Sequence, residues 1–426
     1  MAIPDISVAI IGAGPAGCTM ACLLAMRGIR TTVFDDDKRP GLLVGESLVP
    51  AVIPTLRKLG IEERVREFSV EKPGASFFHG SGSRLHFSFA DRGKKAPAYA
   101  FNVPRPQFDN LLRERATELG VKFIGKRAEV VKSMAPDREL ELAAASRELA
   151  GYSSAEHPDW LIDGTGRSRL FARTLGLPAR KGTRKDVAYF AHFENFTHDE
   201  VPSGQIIISV LEHGWSWRIP LKDRLSVGIV IDKEAAKRLG DTAVERLENA
   251  IRSEPLLSEK GKNAQRVSEV MTYTNYQLIS EQGYGKGWIM MGDAFGFVDP
   301  MLSPGLFMAL ESANLLDSLV FSNGNPEPAT MKRYCRDLKH WHSSWQELIE
   351  YFYDGRILQM YEAGSKLAAG KWALNPAKIM ERHMSRVIAS MAAGVGTRSG
   401  YHRGLLRHSS KHLIWGVEDQ AFYAVR

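Results

Sequence analysis

The segment that most constrains this chain is VAIIGAGPAGCTMACLLAM, Val8 to Met26, which carries no charge. It is nearly long enough to cross a bilayer, yet glycines and a proline interrupt it and no basic region precedes it as in a signal peptide. It therefore reads as a buried strand ending at Ile11, a Gly-rich turn and a helix ending near Gly28. A second strand, TTVFD, then delivers Asp35. Gly12, Gly14 and Gly17 form G-x-G-x-x-G, with Ala16 inside the same turn. In such a unit the first glycine makes the turn, the second lets a pyrophosphate approach the backbone, and the third allows close helix packing. The helix N-terminus faces the phosphates, and the acid closing the second strand can hold the ribose hydroxyls. These parts, in this order, predict a dinucleotide site.

Three further segments select FAD over NAD. VPRPQFDNLL presents Arg105 and Asp109 at the start of a helix. WLIDGTGRSRLFAR runs an apolar strand into Asp163 and a second Gly-rich turn, and GWIMMGDAFGFVDP ends a strand at Gly292-Asp293 before a loop and another helix. No second nucleotide fold follows, so reduced flavin is expected from a separate reductase.

Between Val187 and Asp232 the pattern changes to strands: VAYFAHFENF, QIIISVLEHGWSWRIPL and RLSVGIVID. They predict an antiparallel sheet with one face packed and one roofing a pocket. Trp215, Trp217 and Ile219, read within the middle strand, share one face at period two. After about residue 330 the chain is helical in pattern and rich in aromatics, including Trp341, Trp345, Tyr351, Phe352 and Tyr353. Such a stripe is expected to be core. His340 and His342 are two apart and point differently, so neither reads as a metal ligand, and no metal set appears elsewhere.

With 426 residues, two or three structural units are expected. Cys18, Cys22 and Cys335 show no disulfide or metal spacing, which points to a reducing cytoplasm. The net charge of +7 is concentrated at the end, where residues 371–426 hold nine Lys/Arg against three Asp/Glu. That tail suits a solvated face, an acidic partner or peripheral contact with an anionic membrane. Nucleic acid is disfavoured because no binding motif accompanies the charge.

With its three Gly-containing turns, the chain resembles the flavoproteins that include p-hydroxybenzoate-type hydroxylases and flavin-dependent halogenases. WSWRIP fits W-x-W-x-I-P, and Phe297, Pro300, Ser303 and Gly305 meet F-x-x-P-x-x-S-x-G. VGESLVPAVIPTLRKLG, which contains Glu46 and Ser47, resembles the segment beside the flavin in pyrrole- and phenol-type halogenases. EKPGASF places Lys72 where that group carries its lysine. The resemblance implies an α/β fold. A Rossmann-type, GR2-like FAD-binding domain would take residues 1–75, 100–180 and 270–330. An antiparallel-sheet substrate domain would take 76–99 and 181–269, and a helical, basic C-terminal region 331–426.

The same resemblance implies that Asp293 binds the ribityl chain, that the backbone from Pro304 through Gly305 to Leu306 faces the isoalloxazine, and that Arg105 contacts the flavin side. It also implies a reaction: halide stored beside the flavin attacks a flavin hydroperoxide, and the hypohalous acid formed is aimed by Lys72 at an electron-rich ring. Trp215 and Trp217 would keep that ring away from the peroxide. Lys72 is nucleophilic only if its pKa is lowered, so it is expected to be desolvated. The ring would be phenol- or pyrrole-like, free or tethered to an acyl carrier protein.

One position departs from the pattern. Halogenases usually carry Ser or Thr where this chain has Pro304, and proline has no N–H to offer a halide. Two alternatives therefore stay open: a flavin monooxygenase that has lost halide binding, and a non-catalytic flavin-binding partner.

Overall fold

The computed structural model describes residues 6–36, 38, 41–92, 97–199, 201–274, 277–322, 326–360, 362, 376–412 and 425, with the backbone alone at 92, 376–382 and 412. The glycine-interrupted run folds as a strand, Ser7–Ile11, and a helix, Pro15–Met26, followed by the strand Arg30–Phe34. Ser7–Ile11 is buried on both faces because it lies inside a sheet, which is why it reads as one apolar run. The order of that six-stranded sheet is Tyr284–Gly285, Trp288–Met290, Trp160–Asp163, Ser7–Ile11, Arg30–Phe34 and Lys122–Ile124. All its pairings are parallel except that of Tyr284–Gly285 with Trp288–Met290. The helices Pro15–Met26 and Pro304–Leu319 pack against each other, so two helix N-termini approach one end of the sheet.

The second sheet has eight strands, ordered Gln265–Arg266, Asp186–Glu194, Leu225–Asp232, Gly214–Pro220, Ile206–Leu211, Gly74–Phe78 and Arg84–Ser88, with Met271–Thr274 also paired to Asp186–Glu194. Two expectations are corrected here. The stretch read as one middle strand is a hairpin, Ile206–Leu211 and Gly214–Pro220, closed at Leu211↔Gly214 by a turn at Glu212-His213. The sheet is also not wholly antiparallel, because Gly74–Phe78 enters from the first half of the chain and pairs parallel to Ile206–Leu211. The strands Gly74–Phe78 and Met271–Thr274 belong to this sheet, so its chain boundaries fall slightly outside the expected ones.

One face of the sheet packs under the helices Lys233–Lys237, Ala243–Ser253 and Pro255–Gly261, where Tyr189, Ile229, Leu247 and Ile251 form an apolar cluster. The other face carries Trp215, Trp217 and Ile219 into the main core. The alternate residue Arg218 is buried on the helix-covered side, paired with Asp199 and donating to Ser209.

The C-terminal helix Pro328–Tyr353 is core, as its aromatic stripe predicts. Trp341 and Trp345 flank Phe307 with ring centroids 5.6 and 5.7 Å away. The basic tail lies partly outside the described residues, Lys371 and Arg426 included. Within them, Arg398 pairs with Glu311, and Arg403 and Arg407 both pair with Glu347. Three of its cations thus serve internal pairs.

Candidate active site

A cavity of about 580 Å³ runs from the Gly12–Ala16 turn and Asp35, past Glu46 and Asp293, to the sheet face carrying Trp215, Trp217 and Ile219. It joins the two halves that the sequence patterns kept separate.

At the dinucleotide end, Pro15 occupies the first turn of its helix and no side chain caps the N-terminus, so the leading N–H groups are offered to an anion. Lys38, Arg105, Arg127, Arg167 and Arg173 line the same cavity. Asp35 stands on the wall and takes a 2.7 Å ion pair from Arg113. Arg105 is aimed by Asp109, whose oxygens accept from it at 3.0 and 3.1 Å, and by the Val44 carbonyl. Burial pushes the Asp293 carboxyl up to about 6, against the pull of Arg167 and Arg105. A long, cation-lined channel between two uncapped helix N-termini fits an extended dianionic dinucleotide such as FAD.

Some expected cofactor residues sit elsewhere. Asp163 is fully buried and does not line the cavity. Its carboxylate accepts from the Thr165 N–H and hydroxyl and from the Phe171 N–H, so it shapes the turn and leaves Thr165 and Gly166 on the wall. Gly292 lies behind the wall, with its N–H bonded to Ser312. Gly17 is buried against Gly12, as a packing glycine should be. Ala16, Ser47, Pro300, Ser303, Gly305 and Leu306 all face the cavity.

At the sheet end the two indoles are tilted 46° with centroids 5.8 Å apart. Trp217 lies across Gly228, its neighbour in register, where an added Cβ would sit 2.2 Å from the indole. Gly228→Ala is therefore expected to push the Trp217 ring from the wall and destabilise the fold by about 1–3 kcal/mol. A denaturant midpoint together with the tryptophan emission maximum checks this.

Lys72 is buried and desolvated, as anticipated, and burial brings its pKa down to about 7. It does not line the cavity. Its Nζ donates to Ser47 Oγ at 2.8 Å and to the Leu48 carbonyl at 3.0 Å, with the Phe89 ring centroid 5.2 Å away. Ser47 is the group that stands between the amine and the cavity.

Leu302 and Ser303 both adopt left-handed backbone, with φ of 68° and 62°. The pair turns the chain so that Pro304 takes the first helical position, where an N–H would have no intrahelical partner in any case. Gly305 and Leu306 follow with their N–H groups at the uncapped end.

Further cavity cations lie outside the residues singled out from the sequence. Arg127 and Arg173 line the cavity, and Arg167 does so from within the second Gly-rich turn. His192 Nε2 lies 2.8 Å from Glu46 Oε1, and both residues are buried. Asp299 and Tyr353 form a buried hydrogen bond of 2.9 Å beside the wall. An arginine inside a Gly-rich turn was a usable signal for Arg167; the others depend on chain crossings no local pattern encodes.

The fold and this cavity define an FAD-dependent oxidoreductase. The tryptophan halogenase family profile matches residues 91–357, and an NAD(P)-binding Rossmann-like profile matches residues 10–92. The chain is 30% identical over 401 residues to a tryptophan 2-halogenase of Chondromyces crocatus, covering 91% of this chain and 75% of that protein. It is 28% identical over 384 residues to a 1H-pyrrole-2-carbonyl-(peptidyl-carrier protein) chlorinase of Pseudomonas fluorescens, covering 83% and 85%. Among solved structures, a flavoprotein/dehydrogenase from Cytophaga hutchinsonii superposes with a TM-score of 0.79 at 23% identity, covering 96% of this chain and 99% of that one. A flavin-dependent brominase superposes with 0.76 at 20% identity, covering 96% and 98%. The chain belongs to the flavin-dependent halogenase family and is an FAD-dependent enzyme. The resemblance carried by W-x-W-x-I-P and the 297–305 loop is thus borne out.

Proposed function

We propose that this enzyme uses reduced FAD, oxygen and halide to halogenate an electron-rich, phenol- or pyrrole-like ring. The observation that carries this is the single cavity joining the dinucleotide turn to the Trp215–Trp217 face, with Lys72 buried behind Ser47. Bound reduced FAD supplies the electrons that activate oxygen, so that halide is oxidised by two electrons to hypohalous acid. The chain's own groups then have separable tasks. The N–H groups of Gly305 and Leu306 hold the anion at the helix end. Trp215 and Trp217 fill the wall with indole and exclude both water and the organic ring. Lys72, acting at or through Ser47, binds the electrophile; the ring gains one halogen and gives up one proton, which leaves with the hydroxide of the hypohalous acid as water.

The carrier-protein chlorinase among the relatives supports a tethered pyrrole-like substrate, and the basic C-terminal region supports an acidic carrier surface. A separate flavin reductase in the cytoplasm completes the proposal. Among the described residues no helix is long and apolar enough to cross a membrane.

The test needs no knowledge of the substrate. The enzyme is mixed with reduced FAD in oxygenated buffer without halide, with chloride or with bromide, and an amine trap collects hypohalous acid. Haloamine appearing only with halide is the expected result. Peroxide released at the same rate in all three would move the enzyme to hydroxylation. Pro304→Thr, which restores one N–H at the helix start, is expected to lower the halide concentration for half-maximal trapping by about 3- to 10-fold.

A further inference from the structure

The wall tryptophan nearest the C-terminal helix is not free to turn. Trp215 Nε1–H donates to Tyr353 Oη at 2.7 Å, and Tyr353 O–H donates to Asp299 Oδ2 at 2.9 Å. All three residues are buried, and Asp299 is wholly so. The direction of each bond is settled by chemistry: an indole N–H can only donate, and burial holds the Tyr353 phenol far above its ordinary pKa, so it stays protonated and passes its single hydrogen to the carboxylate. The other oxygen of Asp299 accepts the Met301 N–H at 2.9 Å, at the root of the left-handed Leu302–Ser303 turn. The Arg184 guanidinium lies 3.8 Å over the Tyr353 ring and is itself paired with Asp186 at 2.7 Å. Three segments far apart in sequence meet at one phenol: the indole wall, the loop leading to the helix N-terminus, and the end of the helix Pro328–Tyr353.

We propose that Tyr353 is a positioning residue that locks the Trp215 indole in the wall and ties it to the Asp299 loop. The C-terminal helix is thereby part of the partition as well as of the core. Losing the phenol oxygen would leave the indole N–H without its acceptor in a dry interior, and turning the ring toward another acceptor is the cheapest way to relieve that cost.

Two indoles tilted at 5.8 Å couple their electronic transitions and give a far-ultraviolet circular dichroism couplet, which Trp217→Phe removes and so identifies. Tyr353→Phe is expected to lose most of that couplet in the protein without flavin, with no change in the remaining helical signal. Asp299→Asn is expected to lose part of it, because its amide has one accepting oxygen where the carboxylate has two, one for the Met301 N–H and one for the Tyr353 hydroxyl. In the loaded enzyme, Tyr353→Phe is expected to raise the peroxide released per reduced FAD oxidised by about tenfold, the change one orphaned buried donor produces. Adding Tyr353→Phe to Trp215→Phe should change that yield no further. A full couplet in both folded variants, or in Asp299→Asn alone if Tyr353→Phe does not fold, overturns the assignment. So does an unchanged effect of Tyr353→Phe in the Trp215→Phe background. The peroxide readout rests on the halogenase reading, but the couplet does not. Loss of the couplet in an enzyme that never traps halogen would keep the clamp and overturn only the proposed chemistry.

Discussion

Lys72→Met is expected to cut halogen transfer to a phenol or carrier-linked pyrrole by about 10²- to 10⁴-fold, the range for removing a group that exchanges protons or bonds with the reacting species. Hypohalous acid collected by an amine trap should persist, because the lysine stands behind Ser47 and away from the dinucleotide turn. Equal transfer to the ring by the variant would reduce Lys72 to a packing residue.

A second signature comes from stability. Burial brings the Lys72 pKa from 10.5 in the unfolded chain down to about 7 in the fold. Below the lower value both states carry the proton. Between the two values the unfolded chain holds one proton more, so stability rises with pH by about 1.4 kcal/mol per unit. Above the higher value the rise ends. Lys72→Met should remove that slope, which urea midpoints at pH 7 and 9 would show as a difference confined to the wild type.

Gly17→Ala is expected to abolish FAD binding and to destabilise the fold by more than about 4 kcal/mol, among the largest effects a single methyl group produces. The added Cβ would sit 1.9 Å from the Gly12 carbonyl oxygen. Neither partner can move cheaply, since Gly12 N–H is bonded to the Phe34 carbonyl and the helix Pro15–Met26 packs against Pro304–Leu319. Flavin retained through gel filtration, with an unchanged melting temperature, would refute this. Gly14→Ala is the contrasting case, because nothing lies within 4 Å of its added Cβ and the methyl would point into open space. It should fold normally and weaken flavin binding only.

How much was legible differs between the two ends of the cavity. Gly12, Gly14, Ala16, Asp35, Arg105 and Asp293 were readable because each belongs to a strand–turn–helix unit whose function depends on near neighbours in the chain, and all six line the cavity. Asp163 looked identical in pattern, yet its carboxylate is consumed by its own turn, a choice set by where the Thr165 and Phe171 N–H groups point. The hairpin at Glu212-His213 was missed for a related reason. The apolar runs on either side are separated only by Glu212-His213, and the turn itself holds no glycine or proline to announce it.

Local pattern alone determined that a dinucleotide fold, a sheet bearing paired tryptophans and an aromatic C-terminal helix are present. It also determined that Trp215 and Trp217 share a face, because strand geometry repeats every two residues. Only the tertiary structure decided what those faces meet. Lys72 and Ser47, Glu46 and His192, and Trp215 with Tyr353 and Asp299 are each brought within hydrogen-bond reach from distant parts of the chain. Such contacts are set by how sheets and helices stack to bury apolar area, and no spacing along the chain encodes that.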